Sequence, residues 1–218
     1  MGRGRAALTI AGMLTLYYAP GTCALASHLA LEYAGAPYET VRLNFKEQQQ
    51  RSAEYLKINP KGRVPALVTE RGVLTETPAL LQYIAQSFPQ AKLAPREDAF
   101  LLAKMNEFNS YLCSTVHVNH AHGGRAARWT DDAAAMETMK QKVPQTMGEA
   151  FALIESQMLQ GPWVLGERFS TSDLYLYTLT RWLQGDSVDV NRFPKVADHF
   201  QRMNAQPQVQ KVLAAQQG

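Results

Sequence analysis

The stretch LTLYYAPGTCALASHLALEYAG, residues 14–35, decides the class of fold to which this chain belongs. Residues 14–18 are a short apolar run suited to a β-strand, which a Pro-Gly pair then ends. Residues 24–34 are rich in Ala and Leu, which favour a helix, and the final Gly supplies a C-terminal stop. The stretch therefore predicts a strand, a tight turn and a helix, with Cys23 where the helix begins.

The residues that follow extend this start into an α/β domain. Residues 38–43 alternate as a second strand, and two strands joined by a single helix indicate a βαβ unit. The polar stretch 46–57 predicts a helix, and residues 65–69 and 73–74 predict two strands joined by a short hairpin turn. With a further helix at residues 77–87, the predicted order is β-α-β-α-β-β-α.

Beyond residue 88 the pattern predicts helices alone. Apolar residues recur at helical spacing over four stretches, residues 97–125, 132–159, 170–184 and 192–215. Pro144 either kinks the second stretch or marks an irregular start to its latter half. Ser170-Thr171-Ser172-Asp173 fits a capping box at the start of the third. We expect an α/β domain and then an all-α domain, with a disordered extension at 1–12, the first domain at 13–88, a linker at 89–96 and the helical domain at 97–218.

Composition and charge exclude several classes of protein. The net charge is only +3 and the basic residues are scattered, so no stripe for nucleic acid or anionic lipid is visible. The apolar runs are far shorter than the ~20 residues of a membrane span. The apolar segment after Arg5 is too short for a secretory signal, so we expect a cytoplasmic protein with Met13 as an alternative start. The two cysteines are too few for a disulfide framework. Because their number is even, a single Cys23–Cys113 disulfide remains an alternative.

Cys23 is a candidate reactive thiol. A thiol at a helix start meets unpaired backbone N–H groups and the positive end of the helix dipole, which stabilise the thiolate. The position therefore predicts a lowered pKa for Cys23. The alternative is a small buried cysteine that fills a gap in the core.

Two further elements point to the same kind of ligand. A cis Val64-Pro65 bond would expose the Val64 carbonyl and amide groups to an extended peptide, whereas a trans bond there would be ordinary. Glu76 and Thr77 stand at a predicted helix start, where backbone N–H groups and the hydroxyl suit a carboxylate and Glu76 suits an ammonium group. The simpler role for Thr77 is to cap that helix, with Pro78 in the first turn. Together with a thiol, these elements match glutathione.

The motifs PGTCALASH at residues 20–28, NPKGRVPAL at 59–67 and LTET at 74–77 occur in an order that resembles the cytosolic glutathione transferase superfamily. The resemblance runs from about Met13 to the C-terminus and is greatest to the bacterial beta class. It implies a thioredoxin-like βαβαββα domain followed by an all-helical domain. It also implies glutathione as co-substrate, conjugation to small hydrophobic electrophiles in detoxification, and a homodimer.

The resemblance also assigns candidate site residues. Cys23 takes the beta-class cysteine position beside the glutathione sulfur, and Val64 and Pro65 hold the cysteinyl unit. Glu76 and Thr77 hold the γ-glutamyl end. The remaining assignments are His117 at the position of a beta-class histidine, Lys46 for the glycyl carboxylate, and Ser110 where beta-class enzymes carry Asn.

A cluster of His117, His120 and His122 follows Cys113 and raises the question of a metal site, because imidazole and thiolate bind zinc. His117 and His120 share a helix face but His122 does not, so we predict no metal. We expect these histidines to line the cleft between the domains, where acceptor substrates lie against residues 111–125 and Trp129. For His120 and His122 an ordinary core or surface role is the alternative.

Three functions remain open on the sequence. In the first, the protein stabilises the glutathione thiolate, which attacks an electrophile. In the second, Cys23 itself attacks mixed disulfides of glutathione, with His117 as proton donor or hydrogen-bond partner. In the third, the fold is a non-catalytic binding module, since a fold does not determine a function.

Overall fold

The computed structural model describes residues 12–217. The predicted extension at residues 1–12 lies outside the described residues except for Gly12. The first half of the chain forms the predicted order of elements, β1 Leu14–Tyr18, α1 Ala24–Ala34, β2 Tyr38–Arg42, a 3₁₀ turn at Gln49–Arg51, α2 Ala53–Ile58, β3 Ala66–Thr69, β4 Gly72–Thr75 and α3 Thr77–Ser87.

The four strands form one mixed sheet in the order β2-β1-β3-β4. Strand β1 runs parallel to β2 and antiparallel to β3, with Leu16 opposite Thr40 on one side and Leu67 on the other. Alternate residues of β1 are buried because one face of the strand meets the core. The predicted βαβ unit and the thioredoxin-like order are confirmed, and they place the turn after β1 beside the loop before β3.

The second half is helical, as predicted. Its main elements are α4 Ala99–Tyr111, a π-helical turn at Leu112–Val116, α5 His117–Gly124, α6 Ala133–Leu153, a second π-helical turn at Ile154–Met158, α7 Thr171–Thr180, α8 Pro194–Asn204 and α9 Pro207–Gln217. Pro144 lies within the continuous helix α6. The stretch predicted as helical over residues 192–215 forms two helices, α8 and α9, and the second begins at Pro207, where a proline suits the first turn.

Two predictions in the first half need correction. The helix predicted over residues 46–57 is confined to its second part, since Gln48 has a positive φ of 56° and Ser52 caps α2 by accepting from the Tyr55 N–H at 3.2 Å. Thr77 is not the cap of α3. Glu76 occupies that position with a φ of 72°, and within residues 12–217 no side chain caps this helix end.

Helix α1 packs against α3 in its own domain and against α7 in the helical domain, so one apolar core joins the two. The predicted capping box at Ser170 is confirmed at the start of α7. No helix in the described part of the chain is both long and apolar enough to cross a membrane.

Candidate functional site

A cavity of about 730 Å³ lies between the α/β domain and the helical domain. On one side it is lined by the turn before α1, the loop before β3 and the start of α3. On the other side it is lined by the π-helical turn, α5, the segment after α5, and α7. Six of the eight predicted site residues line this cavity, although they are up to 94 positions apart, from Cys23 to His117.

Cys23 sits at the bottom of this cavity, 7% exposed, at the position just before α1. Its thiol donates a hydrogen bond to the Val64 carbonyl oxygen at an Sγ–O distance of 3.6 Å. The Val64–Pro65 bond is cis, the isomer that the glutathione hypothesis requires. The Thr22 hydroxyl steadies the turn by donating to the Ala19 carbonyl oxygen at 2.7 Å.

The predicted lowering of the Cys23 pKa is wrong. Burial raises the pKa of Cys23 to about 11, while a hydrogen bond with the Thr77 side chain and the positive charge of Arg125 oppose the rise. Position at a helix start can be read from the sequence, but the depth of burial cannot, and burial dominates here. Without a ligand, Cys23 is therefore a protonated thiol at neutral pH.

Glu76 and Thr77 lie on the same side of the cavity. Thr77 is 4% exposed, and the Glu76 carboxylate accepts a hydrogen bond from the Lys61 ammonium group at 2.5 Å. Lys61 also donates to the Thr75 hydroxyl at 2.8 Å. This lysine lies within the NPKGRVPAL motif, but no pattern in the sequence predicts that it pairs with Glu76.

His117 and His120 line the cavity and pack against one indole ring. His117 meets Trp182 edge to face with ring centroids 5.0 Å apart, and His120 stacks on it at 4.2 Å. Burial, aided by nearby positive groups, lowers the pKa of His117 to about 4, so its imidazole is neutral near pH 7. His120 Nδ1 lies 2.8 Å from an Asp186 carboxylate oxygen. His122 instead packs on Trp129, with ring centroids 4.4 Å apart.

Two residues assigned from the resemblance, Lys46 and Ser110, lie outside the cavity lining in this chain. Lys46 is exposed beyond Phe45, which does line the cavity, and its backbone N–H donates to the Asn44 side chain at 3.0 Å. Ser110 is exposed on α4, while the adjacent Asn109 is buried. The glycyl-side assignments thus gain no support from this geometry.

Several cavity residues were not predicted. Arg51, Arg63 and Arg128 line its mouth, and Tyr175 is fully buried at its wall. Burial and the nearby Cys23 and Cys113 thiols raise the pKa of Tyr175 far above its usual range. Arg63 lies within the NPKGRVPAL motif, but Arg51, Arg128 and Tyr175 lie outside all three motifs, so the motif spacing could not have grouped these residues.

The comparisons with known proteins agree with this geometry. The family described as "Glutathione S-transferase, N-terminal domain" matches residues 12–86, and "Glutathione S-transferase, C-terminal domain" matches residues 94–207. Glutathione S-transferase GstA of Escherichia coli O157:H7 is 30% identical over 205 residues, which cover 93% of this chain and 98% of that protein.

Solved structures show the same relationship. A glutathione transferase homologue from Sulfitobacter, crystallised with bound glutathione, is 45% identical with a TM-score of 0.91, and the match covers 93% of this chain and 98% of that one. The bacterial beta class enzyme of Sphingomonas chungbukensis is 28% identical with a TM-score of 0.81 and the same coverage of both chains.

Proposed function

Because this chain belongs to the glutathione S-transferase family, we propose that it conjugates reduced glutathione to small hydrophobic electrophiles. The observation that supports this most directly is the contact between the Cys23 thiol and the Val64 carbonyl oxygen across the cavity floor. This contact places the Cys23 thiol, which would interact with the glutathione sulfur, beside the Val64 backbone, which would hold the cysteinyl unit of an extended peptide. The Sulfitobacter homologue, which holds glutathione, supports the same ligand.

The γ-glutamyl end of glutathione would bind where α3 begins. Since no described side chain caps this helix end, its backbone N–H groups and the positive end of its dipole are open to a carboxylate. Thr77 adds a hydroxyl, and Glu76 offers a carboxylate to the α-ammonium group. Lys61, paired with Glu76, would hold that carboxylate in place.

The protonated state of Cys23 favours conjugation over covalent catalysis. A buried thiol can donate a hydrogen bond to the glutathione thiolate, and this interaction lowers the pKa of the glutathione thiol from about 8.5 towards neutrality. The positive charge of Arg125, which acts on Cys23, favours the same thiolate. In the reaction, the glutathione proton leaves to solvent, the thiolate forms a C–S bond with the electrophile, and a halide or similar anion departs. His117 lines the same cavity, and its imidazole, neutral near pH 7, would donate a hydrogen bond there.

Thiol–disulfide exchange at Cys23 is the second candidate, favoured by the presence of two free cysteines, Cys23 and Cys113, in one cavity. The Cys23 thiolate would attack a sulfur of oxidised glutathione, forming a mixed disulfide as one glutathione thiolate leaves. This route requires the thiolate that burial disfavours. We therefore rank it below conjugation.

Retention on immobilised glutathione, followed by turnover of 1-chloro-2,4-dinitrobenzene, tests the proposal. We expect both, and Thr77→Val should weaken retention, whereas Arg71→Gln, which changes an exposed arginine at the β3–β4 turn, should not. Retention without turnover would support the binding module. The absence of both retention and turnover would exclude glutathione as the ligand. We also propose that the protein is a homodimer and that it is cytoplasmic, as the family implies. Light scattering at several protein concentrations tests the homodimer.

A further inference from the structure

We propose that four arginines, Arg51, Arg63, Arg125 and Arg128, form an anion-binding wall that selects acceptor substrates carrying a carboxylate close to the reacting carbon. The inference rests on the proposed transferase function and names the class of electrophile that it would take. We call these four residues the arginine wall. It would make the acceptor site selective for charge, in addition to the apolar character expected from the sequence.

The arginine wall is built from both domains. Arg51 ends the 3₁₀ turn before α2, and Arg63 immediately precedes Val64. Arg125 follows α5, and Arg128 ends the next 3₁₀ turn. All four line the cavity. Their mutual repulsion is felt at Arg128, whose pKa is lowered to about 10, first by burial and then by the charges of the other three arginines.

No carboxylate among residues 12–217 forms an ion pair with the arginine wall. Within residues 12–217, none of the four guanidinium groups lies within 4.0 Å of an Asp or Glu oxygen. Glu76 is the single acidic residue that lines the cavity in the described part of the chain, and it is already paired with Lys61. Four like charges gathered without counter-charge create a field that attracts anions.

Two of these arginines are held by local structure. Gly62 has a φ of 60°, and a Cβ there would lie 2.9 Å from a guanidinium nitrogen of Arg51, so the absence of a side chain lets Arg51 lie against this turn. The Arg125 guanidinium carbon lies 5.9 Å from the centroid of the Phe45 ring, within range of a cation–π contact. Preorganised guanidinium groups lose less freedom when they bind a carboxylate.

Glutathione alone does not account for four arginines. It carries two carboxylates, and the site at Glu76 and Thr77 would take the γ-glutamyl one, which leaves the glycyl carboxylate. One carboxylate is satisfied by one bidentate arginine or by two arginines. Arg51 and Arg63 are on the α/β side, whereas Arg125 and Arg128 come from the helical domain, on the acceptor side. Both of the latter line the same cavity as Cys23, so an anion attached near the glutathione sulfur would face them.

A binding experiment isolates the charge preference from turnover. Calorimetry would compare S-(carboxymethyl)glutathione with S-(carbamoylmethyl)glutathione, which differ by a carboxylate against a neutral amide at one position. We expect the wild-type protein to bind the carboxylate about tenfold more tightly, as one charge-assisted hydrogen bond gives. Arg125→Gln and Arg128→Gln should each bring the ratio of the two affinities towards one. Arg71→Gln, outside the cavity, should retain the wild-type ratio.

The outcomes separate the inference from the function on which it rests. Equal affinities of the wild-type protein for the two conjugates would overturn the arginine wall while leaving glutathione binding intact. A wild-type preference that survives in both variants, with glutathione itself bound more weakly, would also overturn it, because the arginines would then serve glutathione alone. Failure to bind glutathione or either conjugate would instead overturn the proposed function.

Discussion

The Trp182 indole nitrogen donates a hydrogen bond to the Gly21 carbonyl oxygen at 3.0 Å. Through this bond the helical domain holds the Pro-Gly turn that precedes Cys23. His120 stacks on the same indole at 4.2 Å, and Asp186 holds the His120 ring from the other side. Cys23 is therefore positioned by the helical domain as well as by its own strand and helix.

Replacing Trp182 with Phe removes the indole donor but keeps an aromatic ring for His120. We expect a loss of about 1 kcal/mol in the free energy of unfolding, the usual contribution of one hydrogen bond, and a several-fold fall in kcat/KM for conjugation as the turn loosens. Urea unfolding and steady-state kinetics measure the two effects.

Trp163→Phe is the matched control, because Trp163 packs on Phe169 and His199 away from the cavity lining. A stability loss without any kinetic change in Trp182→Phe would show that the bond to Gly21 does not position Cys23.

Burial of Cys23 makes its reactivity a test of the raised pKa. In a Cys113→Ala background, the rate of alkylation by iodoacetamide should still be rising steeply between pH 9 and pH 11, because the pKa of Cys23 is about 11. The rate should therefore reach no plateau below pH 9. Thr77→Val should shift this profile to higher pH, since the Thr77 side chain lowers the Cys23 pKa. A plateau reached below pH 8 would restore the sequence-based expectation of a thiolate.

Two histidines with lowered pKa values predict a loss of stability in mild acid. Burial lowers the pKa values of His28 and His117 to about 4 from 6.5. Because the folded state binds these protons less readily than the unfolded state, the stabilisation is complete above pH 6.5. It is lost as the pH falls towards 4, at up to about 1.4 kcal/mol per pH unit for each histidine. Urea midpoints at pH 7, 6, 5 and 4 measure it.

His117→Gln should reduce the decrease in stability between pH 6.5 and pH 4. His122→Gln, which also removes an imidazole but lies outside the cavity lining, serves as the control. If stability decreases with acid as steeply in His117→Gln as in the wild-type protein, protonation of His117 does not destabilise the folded state.

Asp173 should contribute far more to the free energy of unfolding than an ordinary helix cap does. Its side chain is fully buried and accepts from the Val164 and Ser170 N–H groups at 2.8 Å each, with His199 Nε2 at 3.1 Å. The sequence alone predicts about 1 kcal/mol for cap loss in Asp173→Ala. With buried donors left without an acceptor, we expect about 3–5 kcal/mol in urea unfolding.

Asp173→Asn retains one carbonyl oxygen as acceptor and should be affected less than Asp173→Ala. If the two variants lose equal stability, the buried hydrogen bonds to the second oxygen, or the charge itself, would account for the whole effect.

The contrast between Asp173 and Cys23 explains what sequence could predict. Local patterns depend on neighbours in the chain, so the strand–turn–helix start at residues 14–35 and the capping box at Ser170 were predicted correctly. Burial and long-range assembly depend on the whole fold. The Cys23 pKa was therefore predicted in the wrong direction. The arginine wall, whose members are up to 77 positions apart, from Arg51 to Arg128, was not predicted at all.

The role of Cys23 can be decided by its adducts. After incubation with oxidised glutathione at neutral pH, intact-mass spectrometry should show little added glutathionyl mass on Cys23, because exchange needs the thiolate and the pKa of Cys23 is about 11. At pH 10 one glutathionyl unit should appear in Cys113→Ala and be absent from the Cys23→Ala, Cys113→Ala double variant. Rapid labelling of Cys23 at pH 7 would favour exchange over conjugation. Labelling that follows Cys113 instead, whose pKa is also raised by burial, would show that the second thiol of the cavity is the reactive one.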